Sequence, residues 1–444
     1  MTKSYEDQLQ EQIDQYRDTV EMHDLPAAFH LWSSAYVLPG LAKVFGASDI
    51  NQFYVDAFAA AAKHNPNAPV FLSLGCGDGA VEIGIARTLL DRGIARFRFV
   101  CYDLSDILLS RFREALPAEL AGHFELLAGD LNAKAFDTRF DAIMANHTLH
   151  HIVDLEGIFR TAFDSLTDDG IFVTSDMIGR NGHMRWPEAR LFVDFFWPFM
   201  SERQRNNVLL RRAEAQFIDH DCSTEGFEGI RSQDVLPMIL AQGFKPWRFL
   251  GFGGMIDVFV DRCFGPNFNV DNDDDAFLLR RMAFLNDVLL DAGLIKPTMM
   301  LAYFVKQPVE EVCFRNRSAR SAVRQASSDP PWLADAVADY ARHPIDPHFA
   351  FKSQPLAPQR RELPRAVGRS ELDTARADAA NARTAMNDVI AALRHAQDEA
   401  AAAQARVMQQ AVRIQGLESS TSWQLTAPLR GLARRLRRRR ILWR

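Results

Sequence analysis

The pattern of apolar and polar positions changes character several times along the chain. Residues 1–66 read as helices, and "LPAAFHLWSSAYVLPGLAKVF" is dense in apolar and aromatic side chains. From 68 to 178 short apolar runs alternate with helical patterns. "APVFLSL", "RFRFVCYD", "HFELLAGD", the start of "FDAIMANHTLHH" and "IFVTSDM" read as strands. "AVEIGIARTLLDRG", ended by Gly93, "SDILLSRFREAL" and "DLEGIFRTAFDSLTDDG" read as helices. This alternation predicts a mostly parallel sheet with helices on both faces, an α/β fold.

After Gly179 the alternation stops. "RNGHMRWPEARLFVDFFWPFMSERQRNNVLLRRAEAQF" is aromatic and mostly helical by pattern. "SQDVLPMILAQGF" reads as a helix, and "KPWRFLGFGG" and "TMMLAYFVKQ" as strands. The acid run "DNDDD" (271–275) is most simply a solvated loop or a helix start. Residues 316–369 are rich in Pro, Arg, Ser and Ala and read as a linker. From Leu372 a heptad begins. Its a positions are Leu372, Ala379, Met386, Leu393, Ala400, Val407 and Ile414. Its d positions are Ala375, Ala382, Val389, Ala396, Ala403, Gln410 and Leu417. A repeat this long predicts a coiled coil over 370–418. An alanine-rich single helix is the alternative, but propensity alone does not gather Leu, Met, Val and Ile on one seam.

Composition adds three limits. No apolar run reaches the roughly 18–20 residues that span a bilayer. The polar start "MTKSYEDQLQEQIDQYRD" has no signal-peptide core. The five cysteines are scattered without a CxxC pair, so neither a disulfide framework nor a cysteine zinc site is suggested, which suits a reducing cytoplasm. The net charge of −6 is uneven: the stretch Thr426 to Arg444 holds eight arginines and no acid. An acidic body with a basic tail calls for a local anionic partner, not for nucleic acid over the whole surface.

The candidate chemistry centres on "VFLSLGCGDGAVEIGIARTLL". A strand breaks into Gly75, Gly77 and Gly79 and then becomes a helix. Glycines let a ligand approach the backbone, and the helix start offers free N–H groups to an anionic group. Gly75, Gly77 and Ala80 satisfy the dinucleotide fingerprint loosely, which is weak by itself. The surroundings decide. Asp103 ends the second strand, where a carboxylate can accept ribose hydroxyls. Asp130 ends the third in "LLAGDLN", and the fourth runs into "NHTLHH".

This order resembles class I S-adenosylmethionine (SAM)-dependent methyltransferases over about 68–178, and through to a late strand at 298–307. The resemblance implies a Rossmann-like sheet with an added antiparallel strand and SAM as cofactor. It implies SAM contacts at Gly75, Cys76, Gly77, Gly79, Asp103, Leu104, Asp130, Leu131, Asn146 and His147. The expected organisation is a helical cap at 1–66, a methyltransferase domain at 67–315 with a helical insertion at about 180–297, the linker, the coiled coil, and a basic amphipathic tail at 419–444. One departure stands out. Many relatives carry an acid two residues before the first glycine, where this chain has Ser73. Asp78 and Glu82 are the nearby acids, and Glu82 is equally explained as a helix-start acid favoured by the dipole.

Methyl transfer to oxygen needs a base, and histidine serves near neutral pH. His183, first choice, and His150 and His147 are the catalytic candidates; each is also explicable as a packing or capping residue. The loop "GRNGHMRWPEA" mixes base, cation, ring and acid, which suits a sugar or phosphorylated sugar. Trp32 and Tyr36 are offered as cofactor cover or as helix packing. No His/carboxylate cluster is evident in the sequence to compel a metal, and none is expected.

The tail interleaves Trp423, Leu425, Leu429, Leu432, Leu436, Leu442 and Trp443 with arginines, as in a surface-lying membrane anchor. A nucleic-acid-binding tail and a solubilising end are disfavoured by the leucines and tryptophans. "SSTSWQLTAPLR" resembles a tail motif of bacterial polysaccharide-assembly enzymes. The expectation is O-methylation of a bacterial surface glycan or its lipid-linked precursor, by a cytoplasmic homo-oligomer peripheral to the membrane. A small-molecule methyltransferase and a non-catalytic assembly scaffold are the alternatives. If the heptads pair chains, Leu393→Asp and truncation at 369 should both lower the mass seen by light scattering. Equal masses for wild type and both variants would refute the coiled coil.

Overall fold

The computed structural model describes residues 5–15, 25–131, 136, 138–224, 226–324 and 333. They fall in the first of two units of the chain, Met1–Pro355; the other, Leu356–Arg444, holds no described residue. The expected coiled coil, the tail and most of the linker therefore lie outside the described residues.

Helices α1 (Tyr5–Gln15), α2 (Ala27–Tyr36), α3 (Leu38–Phe45) and α4 (Ile50–Ala62) precede the sheet. Asp49 caps α4 by accepting from the Gln52 N–H at 2.8 Å. Next come β1 (Val70–Leu74), α5 (Ala80–Asp91), β2 (Arg98–Asp103), α6 (Asp106–Ala115), β3 (Phe124–Ala128), β4 (Phe140–Asn146), α7 (Leu155–Ser165) and β5 (Leu166–Met177). The second half contributes α8 (Pro187–Phe196), a small hairpin β6–β7 (Asn206–Asn207, Arg212–Ala213), α9 (Ser232–Gln242), β8 (Lys245–Phe252), α10 (Asp257–Val260), α11 (Asp273–Asp291), β9 (Met299–Val305), β10 (Val312–Cys313) and α12 (Ala319–Ala322).

Eight strands form one sheet in the order β10-β8-β9-β5-β4-β1-β2-β3. β1 to β5 are mutually parallel, and β9 runs antiparallel to both β5 and β8. The apolar pattern predicted the mostly parallel sheet, and the one reversed strand is the antiparallel addition that the resemblance implied. The strand order reverses at β1, between β2 and β4, and ligand crevices open at such switch points. Side chains alternate across the sheet. Phe71 of β1 faces a core shared with α2 to α6, α8, α10 and α11, while Leu72 and Leu74 face a second core with α7, α9 and α12.

Four differences from the pattern reading have local causes. The "LTDDG" segment, read as the end of a helix, belongs to β5, which starts at Leu166. Most of 197–217 is not helical: Pro198 follows α8 closely, and the polar run beyond it has no apolar stripe to bury. The segment 180–297 is not an insertion set apart from the sheet, because the strand read in "KPWRFLGFGG", β8, pairs with β9 in the main sheet. The linker does not begin at 316: Ser318 caps α12, Ala319 and Ala322 are buried, and Arg324 pairs with Glu188 at 2.9 Å. The acid run is a helix start, since Asn272 accepts from the Asp274 and Asp275 N–H groups and Asp273 to Asp275 fill the first turn of α11. Among the described residues no helix is long and apolar enough to cross a membrane.

Candidate active site

Gly75, Gly77 and Gly79 all adopt positive φ (69°, 56° and 73°) in the turn between β1 and α5. They are required for different reasons. A Cβ on Gly75 would lie 2.4 Å from Thr148, and one on Gly79 would lie 2.3 Å from Phe112. A Cβ on Gly77 would meet no atom within 4 Å. Packing demands the outer two glycines. Apart from its φ, the middle one guards open space, as a backbone must where a ligand comes close.

The end of β2 completes this side. The Gly77 N–H donates to Asp103 Oδ2 and the Ser105 N–H to Oδ1, both at 2.8 Å. Each carboxylate oxygen keeps an acceptor site for a ribose hydroxyl. Burial raises the Asp103 pKa, although the backbone N–H groups of Ser105 and Gly77 pull it down. Asp130 accepts from the Tyr5 hydroxyl at 2.6 Å, so α1 reaches across to the expected adenine acid. Cys76 and Leu131 are buried, and Leu104 is half-buried. Asn146 accepts from the Tyr54 hydroxyl at 2.7 Å.

The loop after β4 carries the histidines and lies against the glycine turn, because the Thr148 hydroxyl shares its hydrogen between the Asn146 carbonyl at 3.1 Å and the Gly75 carbonyl at 3.3 Å. Its organiser is Asp176, fully buried at the end of β5. That carboxylate accepts the N–H groups of Thr148, Leu149, His150 and Met177, and the Nδ1–H of His150 at 2.7 Å. Burial pushes its pKa up, but His150 and these hydrogen bonds outweigh that and leave it lowered. His147 has φ +50° and its backbone N–H donates to the Ser175 carbonyl at 2.8 Å.

His183 joins the group from the loop after β5, with φ +55°. Its Nε2 lies 2.7 Å from Glu228 Oε1, and His150 Nε2 lies 3.6 Å from the same oxygen. A carboxylate only accepts, so Nε2 of His183 carries the hydrogen and Nδ1 is left as the ring's acceptor. Burial lowers the His150 pKa, but the charges and hydrogen bonds of Asp176 and Glu228 prevail and raise it to about 10. Burial lowers His183, with the positive His150 nearby adding to the effect against the pull of Glu228. Burial holds His147 down to about 4 and His151 to about 3. At neutral pH the group is thus one imidazolium, three neutral imidazoles and two carboxylates. The stability held by charged His150 is present at neutral pH and is lost as pH rises through about 10. Neutral His147 and His151 cost stability as pH falls below about 6.5, where their unfolded forms protonate first.

Sequence reasoning named His147, His150 and His183 but missed Asp176 and Glu228. Asp176 carried one signal, its place at the carboxyl end of a strand. Glu228 carried none, since it sits in an irregular loop distant in sequence. His150, His183 and Glu228 also place three ligand atoms within 4.8 Å of one another, a grouping able to hold a divalent ion that sequence spacing hid. The loop expected to meet a sugar is mostly engaged internally. The buried Arg185 guanidinium bonds the His183 carbonyl and lies 3.4 Å from Asp257. Glu188 is buried against Arg324, which lies over the Trp186 ring at 4.7 Å. Trp32 packs on Phe29 and Phe252, a helix-packing role.

Residues 72–172 match a protein-family model described as a methyltransferase domain. No curated protein matched the chain. Among solved structures, an O-methyltransferase from a trans-AT PKS multienzyme of Brevibacillus brevis, in complex with S-adenosyl-L-homocysteine, is similar at 14% identity. The match covers 72% of this chain and 96% of that one, with a TM-score of 0.38. A SAM-dependent methyltransferase from Mesorhizobium loti is similar at 17% identity over 55% of this chain and 97% of that one, with a TM-score of 0.30. Likenesses at such TM-scores add no weight; the assignment rests on the family match and the site. Residues 72–172 are thus a methyltransferase domain, and the residues around its glycine turn fit S-adenosylmethionine as its cofactor.

The open space at Gly77 and the spare acceptor sites of Asp103 fit that cofactor. Gly77→Val should abolish SAM binding in calorimetry while the chain stays folded. Asp103→Ala should weaken SAM by about 1–3 kcal/mol through lost ribose hydrogen bonds. Unchanged affinity in both variants would overturn the site.

Proposed function

We propose that this protein O-methylates a hydroxyl of a bacterial cell-surface glycan or its lipid-linked precursor at a membrane surface. The observation that carries the oxygen chemistry is the His183–Glu228 pair at 2.7 Å beside the histidine loop that lies against the glycine turn. SAM supplies a methyl group already activated on a sulfonium centre, so the chain has to align a hydroxyl and remove its proton. His183 Nδ1 accepts that proton as the oxygen forms its new bond. Glu228 holds the ring by Nε2–H and stabilises the imidazolium that results, as an orienting carboxylate does in a triad. The lowered pKa of His183 keeps it neutral, and so competent as a base, at physiological pH.

The sign of the pH dependence follows. Activity should fall as pH drops through a value below the ordinary 6.5 of histidine, because protonated His183 has no lone pair. His183→Ala should lower kcat by about 10²–10⁴-fold, the usual worth of a general base, with SAM affinity retained. Glu228→Gln should lower kcat and move the acid limb further down, since the carboxylate supports the charged ring. A chelator should leave the rate unchanged, because the base works without an ion. Wild-type kcat in folded His183→Ala would refute this role. The acceptor is tested by transfer of labelled methyl to soluble sugars and to lipid-linked glycans, with methylation of neither counting against the glycan.

Two features support the membrane setting. In the catalytic unit, Val208, Leu209 and Leu210 stand exposed at the tip of the β6–β7 hairpin, followed by exposed Arg211, while Arg212 is paired with Glu214 at 2.8 Å. An exposed apolar tip beside an arginine suits an anionic interface. The second is the sequence of the tail, with its leucines, tryptophans and eight arginines. Each arginine near an anionic surface adds about 1 kcal/mol, and salt reduces it, while apolar insertion resists salt. Pairing through the heptads would double the tails and raise avidity. Removing 421–444 should release the protein from anionic vesicles while SAM binding persists. Leu209→Ser or Trp443→Ala should weaken mainly the salt-resistant part. Equal co-sedimentation with and without the tail would show the membrane reading to be wrong.

A further inference from the structure

Glu82, in the first turn of α5, is 2% exposed. Its side chain accepts a hydrogen bond from Ser73 Oγ at 2.6 Å, and Ser73 is itself buried on β1 two residues before Gly75. No lysine, arginine or histidine among the described residues pairs with this carboxylate. The groups that face it are Ser73 from β1, Cys76 and Asp78 from the glycine turn, Cys101 and Asp103 from the end of β2, and Tyr54 from α4. Not one is a cation. Burial, with Asp78 and Asp103 adding, raises the Glu82 pKa to about 7.

A buried carboxylate without a cation is costly, and proteins seldom retain one unless something completes it. A surface acid favoured by the helix dipole would point to water; this one points back under the glycine turn to β1. A positive group arriving from outside the chain would complete this site.

We infer that the Ser73–Glu82 pair is the anionic seat for the α-ammonium group of SAM, taking over from the acid that β1 lacks at position 73. This rests on the SAM assignment above. The Ser73 hydroxyl gives its one hydrogen to Glu82 and keeps lone pairs able to accept from an ammonium N–H. The carboxylate supplies the opposing charge. Moving the acid from the strand to the helix keeps the charge at the turn while leaving the strand position small. Because Glu82 is half-protonated near neutrality without ligand, the arrival of a cation drives its proton into the buffer and couples affinity to pH.

The test compares ligands on the full chain by calorimetry. SAM carries the α-ammonium and a sulfonium charge; 5′-methylthioadenosine shares the adenosine but has neither, so S-adenosyl-L-homocysteine, which keeps the ammonium without the sulfonium charge, is measured alongside and should follow SAM. Between pH 5.5 and 7 the α-amine stays charged, and SAM affinity should rise about tenfold as Glu82 becomes easier to ionise. Methylthioadenosine should change much less, and that remainder corrects for Asp103. Glu82→Gln should weaken SAM about tenfold or more at pH 7.5 and flatten its pH dependence, with methylthioadenosine kept within about twofold. Adding Ser73→Asp to Glu82→Gln should restore SAM affinity by returning the acid to the strand. Equal loss of SAM and methylthioadenosine in Glu82→Gln would mean that the residue only supports the turn, and unchanged SAM affinity would mean that it does not meet the ammonium; either overturns the inference. Failure of SAM and methylthioadenosine to bind wild type would instead remove the SAM assignment on which it stands.

Discussion

The histidine side of the candidate site hangs on one buried carboxylate. Asp176 has no solvent exposure, yet it accepts four backbone N–H groups and the Nδ1–H of His150. Those bonds fold the loop after β4 into a turn around the end of β5. The same turn sets Thr148 against Gly75 and aims His150 at Glu228, which in turn holds His183. Removing one partner of such a buried pair typically costs about 3–5 kcal/mol, because the other charge is left uncompensated. A single anion therefore couples the cofactor turn, the loop and the proposed base.

The parts of this arrangement that were legible in the sequence are those with a local signature. The strands from β1 to β5 announced themselves by apolar runs between helical patterns, and Gly75, Gly77 and Gly79 by their spacing. The reversed β9 was legible as a late apolar strand once the parallel half was assigned. What escaped depended on contacts between distant segments. Glu228 meets His183 only because the loop after β5 and the loop before α9 come together, with the Gly182 N–H bonded to the Gly229 carbonyl at 2.9 Å. Arg185 and Glu188 looked available for an acceptor because their partners, Asp257 and Arg324, lie far along the chain. β10 has only two residues, too few for a period to show.

The two sides of the site differ in charge for reasons that follow from their chemistry. Around the glycine turn, Glu82 and Asp103 are buried with no cation paired to them among the described residues, as suits a ligand that brings positive charge. Around Asp176 the histidines are arranged so that only His150 is charged, while burial keeps His147, His151 and His183 neutral. A charged His150 fixes Glu228 as a carboxylate. It also discourages a second proton on His183, which keeps that ring an acceptor near neutral pH, as the proposed base must be. Separate environments thus give chemically identical side chains different tasks.

The glycines sharpen the distinction between what the fold needs and what the reaction needs. Gly75 and Gly79 are crowded by Thr148 and Phe112, so any side chain there strains the protein itself. Gly77 is not crowded, and its N–H is bonded to Asp103 rather than left pointing outward. Its positive φ makes a side chain costly but leaves it room, so stability alone does not explain the emptiness in front of it. The carboxylate that fixes Gly77 is also the one placed to meet a ribose. Asp103 therefore shapes the opening while keeping acceptor sites for a ribose, and the pairing of Ser73 with Glu82 places a second buried acid under the same turn. If the inferred seat holds, cofactor recognition in this chain is built from below the turn, out of residues whose burial is unfavourable until the ligand arrives.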